Sequence, residues 1–298
     1  MSGAASPQAR AKAVLQGGLG GLWQAGFRAL SLARPSRARP WRSPGGLRAL
    51  VVAPHPDDEV AGCAGTLSLH RLAGDAVSVA VVSDGRRSRA GGRGPEEMRR
   101  QRRGEAEAVA AALDYELRWL DLPEAEWREA ELVESLGAIQ AALRPDVVYA
   151  PSLVDFHPEH LRVAVCLARA LPVACPSKLR VYPVQVPLTA CLANLVSPVG
   201  SRMACVAAAM RAYASQTTSL WRCLRARRYT GARHALGEPA EEFWEMTADE
   251  YRSLHVEASV TGGSFRGLRD LALSDPLAYV AGRGARRRLA ARLHPGGA

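Results

Sequence analysis

The six cysteines of this 298-residue chain form no CxxC pair and show no spacing typical of a structural zinc site. A chain of this length can bury a proper core without disulfide bonds, which small secreted domains need more. We therefore predict reduced cysteines packed in a cytoplasmic protein rather than a disulfide framework.

No stretch of the sequence is apolar over a length that would span a bilayer. The nearest candidate, residues 13–33, is interrupted by Gln16, Gln24, Arg28 and five glycines. We expect neither a transmembrane helix nor a signal peptide here. Two interpretations stay open: a weak helix lying on a membrane interface, and a loosely ordered extension.

Acidic residues are missing from both ends of the chain. Residues 1–50 hold eight basic residues and no acid, and residues 276–298 hold five arginines and no acid. Of the 39 basic residues, 26 remain between these ends against 29 acidic ones, so the positive net charge of +10 comes from the ends. This distribution argues against a nucleic-acid partner, because the central body carries no excess of positive charge. The basic ends indicate either peripheral contact with an anionic membrane at its inner face or solvated tails.

The hydrophobic pattern predicts an α/β fold. Apolar runs typical of buried strands alternate with helical patterns from residue 47 onward. Strands are predicted at residues 47–53, 76–82, 116–120, 146–150 and 178–186, and helices at 60–73, 96–113, 128–143 and 159–171. This alternation predicts a Rossmann-like, mostly parallel sheet with helices on both faces. Pro183 indicates an edge position for the last of these strands, since proline cannot donate to a sheet.

The same pattern divides the chain into three parts. Residues 1–46 are expected to form a basic extension that ends in a linker rich in proline, arginine and glycine. A single catalytic domain is expected over 47–255, and a C-terminal extension with the Arg-rich tail over 256–298.

Two clusters of chemically active residues each follow a predicted strand. The first reads Pro-His-Pro-Asp-Asp-Glu over residues 54–59, and the second reads Asp-Phe-His-Pro-Glu-His over residues 155–160. Ligands bind open α/β sheets outside the carboxyl ends of the strands, which is where both clusters fall. Each cluster taken alone is also compatible with a solvated turn or a helix cap, for which Asp58 and Glu59 are suitable.

Together the clusters offer the parts of a metal-dependent hydrolase. His55, Asp58 and His160 supply two imidazoles and one carboxylate, and a catalytic zinc site takes three such ligands. Ferrous iron also suits this set. Asp57, beside a ligand, is the candidate general base, and His157 is the candidate to stabilise an oxyanion or to protonate the leaving amine.

These motifs resemble the PIG-L/LmbE family of zinc-dependent N-deacetylases, whose hallmark is an apolar strand running into (A/P)HPDDE and a later HPDH. Here they read PHPDDE and HPEH, with Glu159 at a position not expected to bind metal. The resemblance implies the same three ligands, the same base and the same role for His157. Weaker matches are the Arg102–Glu105 pair, residues 212–216 with Tyr213 at the family's histidine position, and AEEF at 240–243. Similarity extends over about residues 47–250.

The resemblance also implies what the site acts on. Arg102 matches a position where an arginine often meets substrate, and Asp155 is a second substrate-binding candidate. The expected activity is removal of an N-acetyl group from an amino sugar or its conjugate, in glycan, glycolipid or sugar-thiol biosynthesis. An amidase acting on a non-sugar N-acyl small molecule is the alternative. A metal-binding module without activity is disfavoured, because Asp57 and His157 are both in place.

Overall fold

The computed structural model describes residues 21–88, 92–261, 279 and 282–293. The strands are β1 (Arg39–Pro40), β2 (Arg48–Ala53), β3 (Ala76–Ser83), β4 (Glu116–Leu122), β5 (Val147–Pro151), β6 (Lys178–Tyr182), β7 (Leu195–Pro198) and β8 (Ala240–Met246). The helices are α1 (21–33), α2 (Asp58–Leu72), α3 (Pro95–Leu113), α4 (Glu129–Leu143), α5 (Pro158–Ala170), α6 (Thr189–Leu192), α7 (Met203–Ala212), α8 (Thr217–Arg233), α9 (Ala248–Thr261) and α10 (Arg283–Leu293).

The eight strands form one sheet in the order β1-β7-β8-β6-β5-β2-β3-β4. Neighbouring strands are parallel except where β8 pairs with β6 and β7, so the predicted mostly parallel α/β sheet is confirmed. The edge position predicted for the strand at residue 178 is wrong. Strand β6 lies inside the sheet between β5 and β8, because it ends at Tyr182 and Pro183 takes no part in the ladder.

Helices cover both faces of the sheet. The central strands contribute side chains to the core on each face, because successive side chains of a strand point to opposite sides. Leu50 and Val52 of β2 belong to the core under α4, α5 and α9. Val51 and Ala53 belong to the core under α2, α3 and α7. This is why β2 and its neighbours are apolar at nearly every position.

The ends of the chain are more closely joined to the domain than the sequence indicates. Within the expected linker, β1 pairs with β7, and Ser36 Oγ lies 2.5 Å from His234 Nδ1. At the other end, Ala285 and Leu289 of α10 are buried in the core under α9, and Arg286 donates to the carbonyl of Pro187 at 2.9 Å. Helix α10, which follows the boundary expected at residue 256, thus packs on the core under α9.

Within the ranges described, every helix is too short or too polar to pass through a bilayer.

Candidate active site

The two sequence clusters meet because β2 and β5 are adjacent and parallel, with Leu50 opposite Val148. Their carboxyl ends lie side by side. Strands β2, β3 and β4 form one half of the sheet, and β5 begins the other half on the opposite side of β2. Helix α2 begins at Asp58 and α5 begins at Pro158. Each cluster thus forms the turn between a strand and the first residues of the helix that follows.

Three donor atoms from the predicted ligands converge on one point. The distances are 3.2 Å from His55 Nδ1 to Asp58 Oδ2, 3.2 Å from Asp58 Oδ2 to His160 Nε2, and 3.3 Å from His160 Nε2 to His55 Nδ1. A regular tetrahedron with edges of this length has its centre about 2.0 Å from each corner, and zinc–imidazole bonds have that length. The spacing of the three donor atoms therefore fits a zinc ion held by three protein ligands.

Carboxylates behind the ligands hold two of them in place. Glu159 Oε2 lies 2.8 Å from His55 Nε2, and Glu159 Oε1 accepts from the backbone N–H of Ala125 and the indole N–H of Trp127. Asp155 Oδ2 lies 3.3 Å from His160 Nδ1. Such partners fix the tautomer and ring orientation of a metal-bound histidine.

Neither of these carboxylates was assigned that position from the sequence. Asp155, expected to bind substrate, is fully buried beside His160 and is not among the residues that line the cavity. The sequence motif drew no attention to Glu159, since the partner that it orients lies 104 residues away.

Asp57 lies at the mouth of the donor triangle with a backbone φ of 122°, a conformation rare outside glycine. Arg102 on α3 donates to Asp57 Oδ1 at 2.6 Å and also to the carbonyl of Pro56. Burial raises the pKa of Asp57 to about 7, although the positive charge of Arg102 lowers it. Arg102 itself lines the cavity, so the predicted substrate-binding residue also positions the candidate base.

His157 caps α5, and its Nδ1 accepts the backbone N–H of Glu159 at 3.3 Å. Burial, together with the neighbouring His160 and His55, lowers the pKa of His157 to about 2. These effects favour a neutral imidazole, and because Nδ1 accepts a hydrogen bond its proton is on Nε2. This ring stacks on His160 at a centroid distance of 4.9 Å, and it is a hydrogen-bond donor placed beside the ligands.

Glu59 is fully buried behind the first cluster and is bound by two tyrosines. Tyr213 donates to Glu59 Oε1 at 2.7 Å and Tyr115 at 3.1 Å, while Glu59 Oε2 accepts the backbone N–H of Asp57 at 3.1 Å. Tyr213 is the residue at the family's histidine position. In this chain its hydroxyl supports the acid that holds the backbone of the candidate base.

Two of the three weak sequence matches, the Arg102–Glu105 pair and residues 212–216, also meet in space. Glu105 accepts from the backbone N–H of Ser215 at 2.9 Å and from its hydroxyl at 2.6 Å. Gln216 donates to Ser88 at 2.7 Å. These contacts tie the end of α7 to α3 and to the loop after β3, at the rim of the site.

Outside the site, His70 and His234 are buried side chains, and each has a carboxylate partner. His70 Nδ1 lies 2.5 Å from Asp75, and His234 Nε2 lies 3.0 Å from Glu242. Neither pair has further metal-ligating groups around it among the described residues.

The site opens into a cavity of about 730 Å³, a volume typical of small-molecule binding sites. Its near end contains the donor residues, and its wall away from them is formed by α8, β8 and Tyr279. The polar or charged residues along this wall are Arg222, Arg227, Tyr229, Thr230, Glu241, Glu242 and Tyr279.

The segment that carries both clusters matches a known family. Residues 50–171 match the model of the PIG-L family, described as GlcNAc-PI de-N-acetylase. These residues form a PIG-L domain. The resemblance inferred from the two motifs is thereby confirmed. The chain matches no curated protein sequence.

Solved structures share the fold of this protein at low sequence identity. The N,N'-diacetylchitobiose deacetylase from Pyrococcus horikoshii is 22% identical, with a TM-score of 0.60, over 68% of this chain and 85% of that one. A zinc-inhibited form of the teicoplanin deacetylase Orf2 is 17% identical, with a TM-score of 0.55, over 66% and 97%. The 4-carboxy-2-hydroxymuconate hydratase GalB from Pseudomonas putida KT2440 is 21% identical, with a TM-score of 0.55, over 67% and 96%. The same fold thus serves deacetylases and a hydratase.

Proposed function

We propose that this protein is a metal-dependent hydrolase that removes an N-acetyl group from an amino sugar or a sugar conjugate, in glycan or glycolipid biosynthesis. The observation that carries the proposal is the triangle of His55, Asp58 and His160 donor atoms with Asp57 at its edge. The PIG-L domain supports it, since that family's model is described as a de-N-acetylase. The chitobiose deacetylase supports a sugar substrate.

Each side chain has a defined task in such a reaction. His55, Asp58 and His160 would hold a divalent metal, which when bound would supply Lewis acidity toward the acyl carbonyl and toward water. Asp57 accepts the proton of the attacking water, and Arg102 keeps its carboxylate turned toward the site. His157 donates its Nε2 proton in a hydrogen bond to the oxygen that gains charge as the carbonyl carbon becomes tetrahedral. The leaving nitrogen then takes up the proton that Asp57 removed, so acetic acid and the free amine form with protons balanced, and the acid ionises to acetate in water.

The metal is proposed to be zinc, with ferrous iron as the second candidate, because two imidazoles and one carboxylate suit both ions. A zinc-inhibited form is known for one structural neighbour, so zinc in excess is not a neutral additive in this fold. Elemental analysis of the protein loaded with each ion is expected to give one metal per chain. His160→Ala is expected to lose the metal while keeping the circular dichroism of the folded domain.

The decisive experiment is a screen of the full chain, loaded with one equivalent of metal, against N-acetylated sugars of increasing size, with released acetate as the readout. We expect acetate from at least one of them. Release from N-acyl amines that are not sugars, and from no sugar, would favour the amidase alternative. Metal binding without acetate release from any N-acyl compound would contradict the proposal and point to another reaction of this fold, such as hydration.

A further inference from the structure

The outer face of α1 is apolar and has no partner among the residues that the structure describes. Phe27 and Ser31 face the domain, and the opposite side of the helix carries exposed leucines and a tryptophan. Their exposed fractions are 72% for Leu22, 45% for Trp23, 40% for Leu30 and 82% for Leu32. The remaining exposed positions are glycine or alanine, except Arg28. A contiguous apolar helix face of this kind marks an interaction surface.

The positive charge around this face indicates that its partner is anionic. Residues 21–48 contain six arginines and no acidic residue. Arg28, Arg37 and Arg42 are exposed, and within the described part of the chain no carboxylate pairs with them. Apolar side chains beside unpaired cations are the pattern of a helix that lies in the plane of an anionic bilayer. A protein partner with an apolar groove would need matching acids, and the bilayer surface supplies them without a specific fit.

Helix α1 is fixed on the domain and stands over the far end of the active-site cavity. Phe27 packs on Tyr229 and Tyr279 with ring centroid distances of 5.6 and 4.5 Å, and both tyrosines line that cavity. The segment after α1 is held by the Ser36–His234 contact and by β1. The apolar face is therefore presented in one orientation, on the outside of the wall that closes the cavity.

We propose that α1 docks this protein on anionic lipid bilayers through Leu22, Trp23, Leu30 and Leu32, with the neighbouring arginines on the lipid headgroups. Docking in this way places the far end of the active-site cavity beside the membrane surface. The proposal concerns a surface outside the PIG-L domain, and it stands or falls independently of the deacetylase reaction.

Flotation of the full chain with vesicles tests it. We expect the protein to float with vesicles of phosphatidylcholine and phosphatidylglycerol at low salt and to stay in solution with phosphatidylcholine alone. Leu22→Gln/Leu30→Gln/Leu32→Gln is expected to weaken binding at least about tenfold, because three apolar side chains no longer leave water. Arg28→Gln/Arg37→Gln/Arg42→Gln is expected to weaken it on the order of a hundredfold at low salt, and added salt is expected to weaken the wild type similarly.

Matched variants separate this surface from any other. Leu72 and Val173 are exposed apolar residues elsewhere, at 67% and 95%, and Arg128 is an exposed arginine elsewhere. Leu72→Gln/Val173→Gln and Arg128→Gln are expected to float like the wild type. The proposal is overturned if the wild type does not float at low salt, or if the leucine variant floats equally well. A wild-type dimer that the leucine variant turns into a monomer, with no flotation of either, would show that a second copy covers α1 instead.

Discussion

At the scale of single residues, Asp57 shows how the site is held. A non-glycine residue at a φ of 122° costs on the order of 1–3 kcal/mol, and it persists only where the surroundings determine it. Here Glu59 accepts the backbone N–H of Asp57 and Arg102 binds its carboxylate. These contacts fix the backbone and the carboxylate of Asp57, the candidate base, in the lining of the cavity.

We predict that Asp57→Asn keeps the metal and loses activity by a factor on the order of 10² or more, because the amide cannot accept the proton of water. The amide is nearly isosteric, so the fold is expected to remain. Asp114→Asn is the matched control, since Asp114 also has a positive φ, of 57°, but is exposed at the end of α3. Metal content and acetate release are measured for both. Activity of Asp57→Asn near that of the wild type would mean that another group is the base.

Tyr213 gives a second prediction, about stability. In Tyr213→Phe the buried Glu59 loses its 2.7 Å hydrogen bond, so we expect the free energy of unfolding to fall by about 1–3 kcal/mol. Tyr251→Phe removes another buried hydroxyl, which donates to the carbonyl of Ala164 at a longer 3.2 Å, and is expected to cost less. Urea denaturation of both variants checks this. Equal effects would show that Glu59 does not depend on Tyr213.

Site residues that stand together in one sequence motif were predictable. Site residues that come from distant segments of the chain were not. His55, Asp57 and Asp58 stand in one motif, and His157 and His160 stand in another, so their types and spacing indicated the chemistry. The partners of these residues come from distant segments. Tyr213 is 154 residues from Glu59, and Glu159 is 104 residues from His55. Only the packing of α7 on α2 and α3 brings Tyr213 to the site, and no local pattern encodes that packing. Glu159 stands inside the second motif, but nothing in the motif shows that its side chain meets His55.

At the scale of elements, the approach of α2 to the sheet depends on Gly62. A Cβ at Gly62 would lie 2.2 Å from the ring of Tyr182, whose hydroxyl donates to the carbonyl of Val52 at 2.8 Å. This close approach brings the first turn of α2, with Asp58, over the ends of β2 and β6. Glycine is unfavourable within a helix, so its presence here has a packing reason.

We therefore predict opposite effects for two glycine-to-alanine changes. Gly104 lies exposed in α3 with nothing near its missing Cβ, and Gly104→Ala is expected to stabilise the protein by about 0.5–1 kcal/mol through helix propensity. Gly62→Ala is expected to destabilise it by about 1–3 kcal/mol, because the methyl group overpacks the contact with Tyr182. Denaturant unfolding of both variants measures the difference. Stabilisation by both would mean that α2 can move away without cost.

The bounds of elements with a clear hydrophobic period were predictable within about two residues. Elements whose buried polar residues depend on distant partners were not predictable. The strands at residues 48, 76 and 116 and the helices after them follow from apolar runs and helical spacing. Strand β8 escaped prediction because Glu241 and Glu242 in it are buried and paired with Arg227 and His234. The sequence of such a strand lacks the apolar pattern that predicts a buried strand, because its buried acids pair with distant residues.

At the scale of the whole molecule, the composition of the two ends does not reveal their contacts with the central sheet. Arginine, proline and glycine are typical of linkers and tails, yet β1 extends the sheet and α10 completes the core under α9. Arg286 is buried because its guanidinium binds the carbonyls of Pro187 and Tyr279, which satisfies a cation that the sequence alone places in solvent.

The last prediction tests whether α10 is a structural part of the domain. Leu289 is fully buried among residues of the core, so Leu289→Ala is expected to lower the free energy of unfolding by about 2–5 kcal/mol. Arg288, the neighbouring exposed residue, is the control, and Arg288→Ala is expected to change it by less than about 0.5 kcal/mol. Both are measured by urea denaturation followed by circular dichroism. Because α10 packs on α6 and α9, the loss in Leu289→Ala should appear in one cooperative transition of the whole chain. A wild-type midpoint for Leu289→Ala would mean that α10 is an appendage, as its composition indicates.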